Sequence, residues 1–259
     1  MRRVKGAAVK KGKFLESYEE ACETLSQRLD ELAKDPDVDA VHDARTAMRR
    51  LEARVDVLPE SIRRSPEMKE LLKVQGKVMK RTAAVRDLDV TREKVSRHKG
   101  PARAALLARM DTERGALVKD MEEAVDSARR LRPPGATSKK VRRRKLQKRF
   151  ERVVGRLARE MDALLPVVTA DPSRLAELHR LRIDSKKLRY SLELALDEES
   201  PDIARLRAWQ DALGAIHDSD VAISYVNEAG VPGSAGLVGE WVKQRDREFR
   251  DFARSVPPA

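Results

Sequence analysis

The sequence predicts an all-α protein made of two four-helix bundles, duplicated about an internal pseudo-two-fold axis around a basic central surface or pore. Three observations lead there. Charged residues are 38% of the 259-residue chain and aromatics only 3%, a mixture that suits long solvated helices and leaves little to build strands from. Proline recurs as helix punctuation at Asp35-Pro36, Ser65-Pro66, Gly100-Pro101, Asp171-Pro172 and Ser200-Pro201, where a first helical turn accepts it and Asp or Ser can cap. The chemistry of the second helix returns on the sixth.

Residues 1–13 carry six cations and read as a basic flexible arm. The first helix, 14–34, is set by Tyr18, Leu25, Leu29 and Leu32 at helical spacing, with Cys22 among them as a packing residue. The second, 37–58, follows Asp35-Pro36, and the third, 66–97, follows Ser65-Pro66. Gly100-Pro101 opens the fourth, 102–131, whose inner face is Leu106, Met110, Val118 and Met121. Pro133-Pro134-Gly135 breaks the chain in a linker, 132–139.

The fifth helix spans 140–166. The sixth, 173–198, follows Asp171-Pro172; the seventh, 201–228, follows Ser200-Pro201; and the eighth, 234–254, follows the glycines of Gly230-Val231-Pro232-Gly233. Halves 14–131 and 140–254 thus form one domain over 14–254, with a tail at 255–259. Trp209 and Trp241 fall at apolar positions and read as core.

The repeat is explicit. Val41-His42-x-x-Arg45-x-x-x-Arg49-Arg50-Leu51 matches Leu178-His179-x-x-Arg182-x-x-x-Lys186-Lys187-Leu188 at an offset of 137, and Ala84 to Val90 matches Ala215 to Val221 at 131. Offsets that change only between helices would reflect differing loop lengths within one plan. On each motif helix His, the first Arg and the next cation lie within about 60° of one another, and the second cation flanks them. The apolar residues Ala44, Met48, Leu51, Val55 and Leu58 take the opposite face. On the sixth helix Ile183, Tyr190 and Leu194 add a second apolar strip, which predicts a more enclosed copy.

A single basic stripe is ordinarily a solvated face. Two that recur with histidine at the same place predict convergence on an anion, since like charges repel without one. The net charge of +12 agrees with a polyanionic partner. His42 and His179 read either as partly buried imidazoles or as anion donors. Metal ligation is disfavoured, because no His-Glu-x-x-His pairing exists and the neighbouring cations would repel a metal. Asp87-x-Asp89 and Asp218-x-Asp220 diverge by about 200° on a helix, so neither pair forms an acid–base couple; one Asp of each is expected to orient a stripe cation and the other to face solvent.

Other classes fail on their signatures. Gly6 to Lys13 has the wrong spacing for a phosphate-binding loop, and no Gly-x-Ser-x-Gly occurs. Few aromatics are free to stack on bases, and no short helix-turn-helix appears, so nucleic acid is a poor partner. No secretory segment or membrane span is evident, and one cysteine in a chain of this size fits a reducing compartment, the cytoplasm. The run 139–149 carries eight cations and no acid, and reads equally as a solvated linker or as a funnel for the anion.

The two His-x-x-Arg motifs, with Val85-Arg86-Asp87-Leu88-Asp89 and Trp209-Gln210-Asp211-x-Leu213-Gly214-x-x-His217-Asp218, resemble the CHAD family, helical domains named for their histidines. The resemblance spans roughly 14–254. It implies paired four-helix bundles and non-catalytic binding of inorganic polyphosphate, with no cofactor, often at polyphosphate granules and their proteins. Carried over by position, His42, Arg45, Arg49, Arg50, Arg86, His179, Arg182, Lys186 and Lys187 would contact the anion. The chain departs from the family pattern at Asp184-Ser185, which implies a weaker second stripe. Nothing matches the acidic strands of the triphosphatase domain fused to some family members, so catalysis does not transfer.

Overall fold

The computed structural model describes residues 7–137 and 139–257. Among these the chain is all helical: α1 (Lys11–Lys34), α2 (Val38–Val57), α3 (Glu60–Arg63), α4 (Pro66–Ser96), α5 (Arg103–Arg129), α6 (Arg143–Ala170), α7 (Leu175–Leu192), α8 (Pro201–Ala229) and α9 (Ala235–Ser255). Eight correspond to the expected helices, and the short α3 is additional. In the first half α1 packs on α2 and α5, and α4 packs on α2 and α5; in the second half α6–α7, α7–α8 and α8–α9 are neighbours. The halves meet through α2 on α6 and α7 and through α4 on α8.

Two cores result. The larger joins both halves, with Phe14, Tyr18, Leu51 and Met68 beside Phe150, Leu181, Leu188 and Trp209. The smaller closes the far ends of the α4–α5 and α8–α9 hairpins around Leu106, Met110, Val226 and Trp241. The Trp and Cys22 placements follow the sequence expectation, Cys22 being partly buried against the larger core.

Proline marks the starts less uniformly than its spacing suggests. Ser65 caps α4 by accepting from the Met68 N–H, with Pro66 at N1, and Pro201 opens α8. By contrast Asp35 and Asp171 close α1 and α6, and α2 is capped by Asp37, whose side chain accepts from the Ala40 N–H at 2.7 Å. Helix α6 runs through Pro166 to Ala170, because Val168 beyond it is buried. Helix α7 stops at Leu192 instead of 198: Leu194 and Ala195 bond three residues back, to Ser191 and Leu192, tightening the turn so that the helix does not propagate.

The segments expected to be free are also packed. Lys11 already opens α1, and Val9 is 3% exposed, its N–H donating to Gln147 Oε1 at 2.9 Å. Only residues 1–6 of the proposed arm lie outside the described residues, as do Ser138 of the linker and 258–259 of the tail. The linker is tied down by Tyr18, whose hydroxyl donates to the Pro134 carbonyl at 2.8 Å.

A repeated bond set links corresponding helices. Arg114 on α5 donates to Asp89 on α4 at 2.6 Å and to the Pro36 carbonyl before α2 at 2.8 Å. Arg245 on α9 donates to Asp220 on α8 at 2.9 Å and to the Pro172 carbonyl before α7 at 2.6 Å. Likewise Gln75 donates to the Met48 carbonyl, and Gln210 to that of Ser185. The second Asp of each Asp-x-Asp therefore holds an arginine of the following hairpin helix, not a stripe cation.

The offset changes within a helix, however, and not only between helices. Gln75 precedes Asp87 by twelve residues, whereas Gln210 precedes Asp218 by eight. Helix α4 therefore carries about one extra turn before its Asp, a difference that shapes the site.

Candidate functional site

Because α2 packs on α7 and α4 on α8, the two cationic stripes face a common cleft between the halves, with a volume of about 590 Å³. Eight of the nine residues singled out from the sequence line it: His42, Arg45 and Arg49 from α2, Arg86 from α4, and His179, Arg182, Lys186 and Lys187 from α7. Arg50 does not. It flanks the stripe on α2, is exposed, and its carbonyl accepts from Arg54 Nη1 at 2.8 Å. The helical advance that turns it outward is the one noted in the sequence.

The stripes are not equivalent. Arg45 is 9% exposed, and its Nη1 donates to the Met79 carbonyl at 2.8 Å and to Thr82 Oγ1 at 3.0 Å. Met79 and Thr82 sit in the stretch where α4 is longer than α8. Among the described residues no hydrogen bond or ion pair reaches the guanidinium of its counterpart Arg182, whose Nε is buried without a partner. Arg49, Arg86 and Lys186 have none either among the described residues, so four cations converge on the cleft with their donors unused.

Electrostatics reflect that crowding. Burial, with Arg182 and Arg49 nearby, pushes the Lys186 ammonium down to about 7. Burial first and then Arg49 lower Arg45 to about 10, and burial also lowers Arg49 and Arg182. A group of buried like charges is unstable until an anion answers it. The histidines are held below their ordinary value: His42 by burial and Arg86, His179 by burial and Arg182. Each thus presents a neutral imidazole with one N–H donor at neutral pH.

Three further groups in the cleft were not selected from the sequence. His217 packs its ring 5.0 Å from that of His179 and is pushed down to about 3 by burial and Arg182. Asp87 from α4 and Asp218 from α8 also line the cleft, each raised by burial and pulled back by cations: Arg45 and Arg182 for Asp87, Arg182 and Arg86 for Asp218. The first Asp of each Asp-x-Asp thus faces the cationic cluster, the place expected for one member of each pair, while the second holds Arg114 or Arg245 where solvent was expected. The signal for His217 was present, since the offset of 131 superposes it on Arg86.

The apolar strip on α7 has a different role from the one expected. Ile183 is 38% exposed and lines the cleft with Tyr190, so it forms a wall of the site rather than extra enclosure. Asp184 and Ser185 are buried and do not line the cleft; the departure from the family pattern leaves the lining untouched. Lys187 reaches the cleft but pairs with Glu52 across the halves at 2.9 Å. Among the described residues no group of three His, Cys, Asp or Glu could hold a metal, and no helix is long and apolar enough to cross a membrane.

Comparison with known proteins agrees with this architecture. No curated protein matches the sequence significantly. The crystal structure of the CHAD domain from the plant Ricinus communis is similar over 97% of this chain and 93% of that one, with a TM-score of 0.69 at 17% identity; at that identity the likeness speaks for the fold. The family model described as "CHAD domain" matches residues 17–227, a span that includes both His-x-x-Arg helices and both Asp-x-Asp segments, and the chain therefore belongs to the CHAD domain family.

Proposed function

We propose that the protein binds inorganic polyphosphate in the cleft between its halves, without turning it over. The observation that carries this is the set of four cations, Arg49, Arg86, Arg182 and Lys186, that reach one cleft with no hydrogen bond or ion pair among the described residues, backed by Arg45 and the neutral imidazoles of His42 and His179. Phosphate oxygens accept charge-assisted hydrogen bonds from such donors. A chain of phosphates offers acceptors to both stripes at once and needs no base-stacking surface. Membership of the CHAD family, some of whose members bind polyphosphate, supports the same ligand. Cytoplasmic residence, at polyphosphate granules, follows from this reading.

Calorimetric titration with long-chain polyphosphate, ATP and single-stranded DNA at matched phosphate concentration tests it. Tight binding of polyphosphate that weakens with salt, and much weaker binding of the other two, is expected. Equal binding of all three would reduce the cleft to a generic cationic surface.

One arrangement favours a second reading. His179 and His217 in ring contact beside Asp87 and Asp218 could serve acid–base chemistry on a phosphoanhydride, with the arginines stabilising the transition state. Phosphate release from polyphosphate with added Mg²⁺ would establish it, and its absence leaves binding alone.

A further inference from the structure

Helix α6 begins against the usual rule for helices. Its first turn holds no acidic residue, its N-cap is Arg142 with no side-chain capping bond, and Arg143, Arg144 and Lys145 follow. Cations at the positive end of a helix dipole are unfavourable by several tenths of a kcal/mol each. An acid opens α2, α3, α4, α7 and α8, at Asp39, Glu60, Glu67, Glu177 and Asp202, whereas α1, α5 and α9 share with α6 a first turn without one.

Arg142, Lys145, Arg149 and Arg152 recur three and four residues apart, so they share one face over roughly 15 Å. No ion pair among the described residues neutralises any of the four. A local rule broken with no gain inside the molecule points to an outside partner.

The row is joined to the cleft. Asp56 lines the cleft, and its carbonyl accepts from Arg149 Nε at 2.8 Å while its carboxylate lies 3.9 Å from Arg63 Nη2. The carboxylates at this mouth are both answered, Asp56 by Arg63 and Glu52 by Lys187. An anion leaving the cleft there meets the α6 row next.

We propose that this row is a second anion-binding surface, continuous with the cleft, which takes the part of a long inorganic polyphosphate that extends beyond it. The row makes the protein selective for long chains, because a ligand engaging cleft and row together gains the avidity of two linked sites. This rests on the cleft being a polyphosphate site.

The test compares wild type with the variant R142S/K145Q/R152Q, whose three positions are exposed, so the fold is retained; Arg149 is left as the link to Asp56. Affinities for long-chain polyphosphate and for tripolyphosphate are measured by calorimetry at two salt concentrations. The expected result is a loss of about tenfold or more for the long chain, with a shallower salt dependence, and an unchanged affinity for tripolyphosphate. Unchanged long-chain binding, or equal losses for both ligands, overturns the row while leaving the cleft standing. Wild type binding neither ligand overturns the cleft, and the row with it.

Discussion

Arg45 donates from Nη1 to the backbone carbonyl of Met79 at 2.8 Å, and that bond separates the roles of two arginines which the sequence repeat presents as equals. Arg45 ties α2 to α4 and lends the cleft its charge, while Arg182 keeps its donors for a ligand. Arg45→Ala is therefore expected to destabilise the fold by about 1–3 kcal/mol, the cost of leaving buried polar partners unmet. Arg182→Ala is expected to leave stability within about 1 kcal/mol, or to raise it, and to weaken tripolyphosphate binding at least about tenfold. Urea denaturation and calorimetry on both variants check the division; if Arg182→Ala proves the more destabilising of the two, the assignment is reversed.

The two arginine tethers should differ in strength. Asp89, held by Arg114, has a side chain 1% exposed, whereas Asp220, held by Arg245, is 23% exposed. Removing one partner of a buried ion pair costs about 3–5 kcal/mol because the other charge is stranded. Arg114→Met is expected to approach that figure, and Arg245→Met to cost less, since water can reach Asp220. Denaturant midpoints for the two variants decide it. An Arg245→Met loss as large as that of Arg114→Met would mean that carboxylate burial does not set the cost.

The periodicity that separates Leu51 from His42 made the stripe helices readable, because a fixed advance per residue assigns faces without knowledge of the fold. The repeat placed both stripes in one site for the same reason. Arg50 illustrates the limit: its type matched the motif, but the angle that put it beside the stripe also put it outside the cleft. The capture of Arg45 was beyond sequence reading even though its cause was visible, in the offset between Ser65 and Ser200 exceeding that between Asp87 and Asp218 by four. Only side-chain bonds reveal which arginine the extra turn engages. Asp89 and Asp220 take neither place foreseen for an Asp-x-Asp residue, stripe or solvent, because their partners, Arg114 and Arg245, lie outside the motif on helices joined to it through loops.

Lys186 makes binding depend on pH. Its folded value of about 7 lies below the ordinary 10.5, so below pH 7 it is charged in both folded and unfolded states and its repulsion with Arg182, Arg49 and Arg45 counts in full. Between pH 7 and about 10.5 the folded amine is neutral while the unfolded one is not, and its contribution to stability rises with pH. An anion needs the charged form, so at pH 8 binding should take up as much as about one proton, and affinity should fall from pH 7 to 9. Titrations in buffers of different ionisation enthalpy measure the uptake. Lys186→Met should abolish it and raise the free protein's stability at pH 6 by roughly 1–4 kcal/mol; uptake that survives in the variant would move the linkage to another group.

The Glu52–Lys187 pair sets a competition at the cleft mouth. Its N–O distance is 2.9 Å, and the two side chains are 38% and 39% exposed, so the pair is a partly solvated bridge of the kind that contributes about 0–1 kcal/mol to stability. It joins α2 to α7, yet those helices are already held by the buried core that Leu51 and Leu188 share. A phosphate chain entering at this end must either draw Lys187 away from Glu52 or pass a carboxylate. Glu52→Gln removes the charge and leaves Lys187 unpaired at nearly constant shape. The expected outcome is a melting transition close to wild type and polyphosphate binding about fivefold tighter at low salt, equivalent to about 1 kcal/mol, with the gain shrinking as salt screens the site. Weaker binding in the variant would mean that Glu52 positions Lys187 for the ligand, and the pair would then belong to the site as a support and not as a competitor.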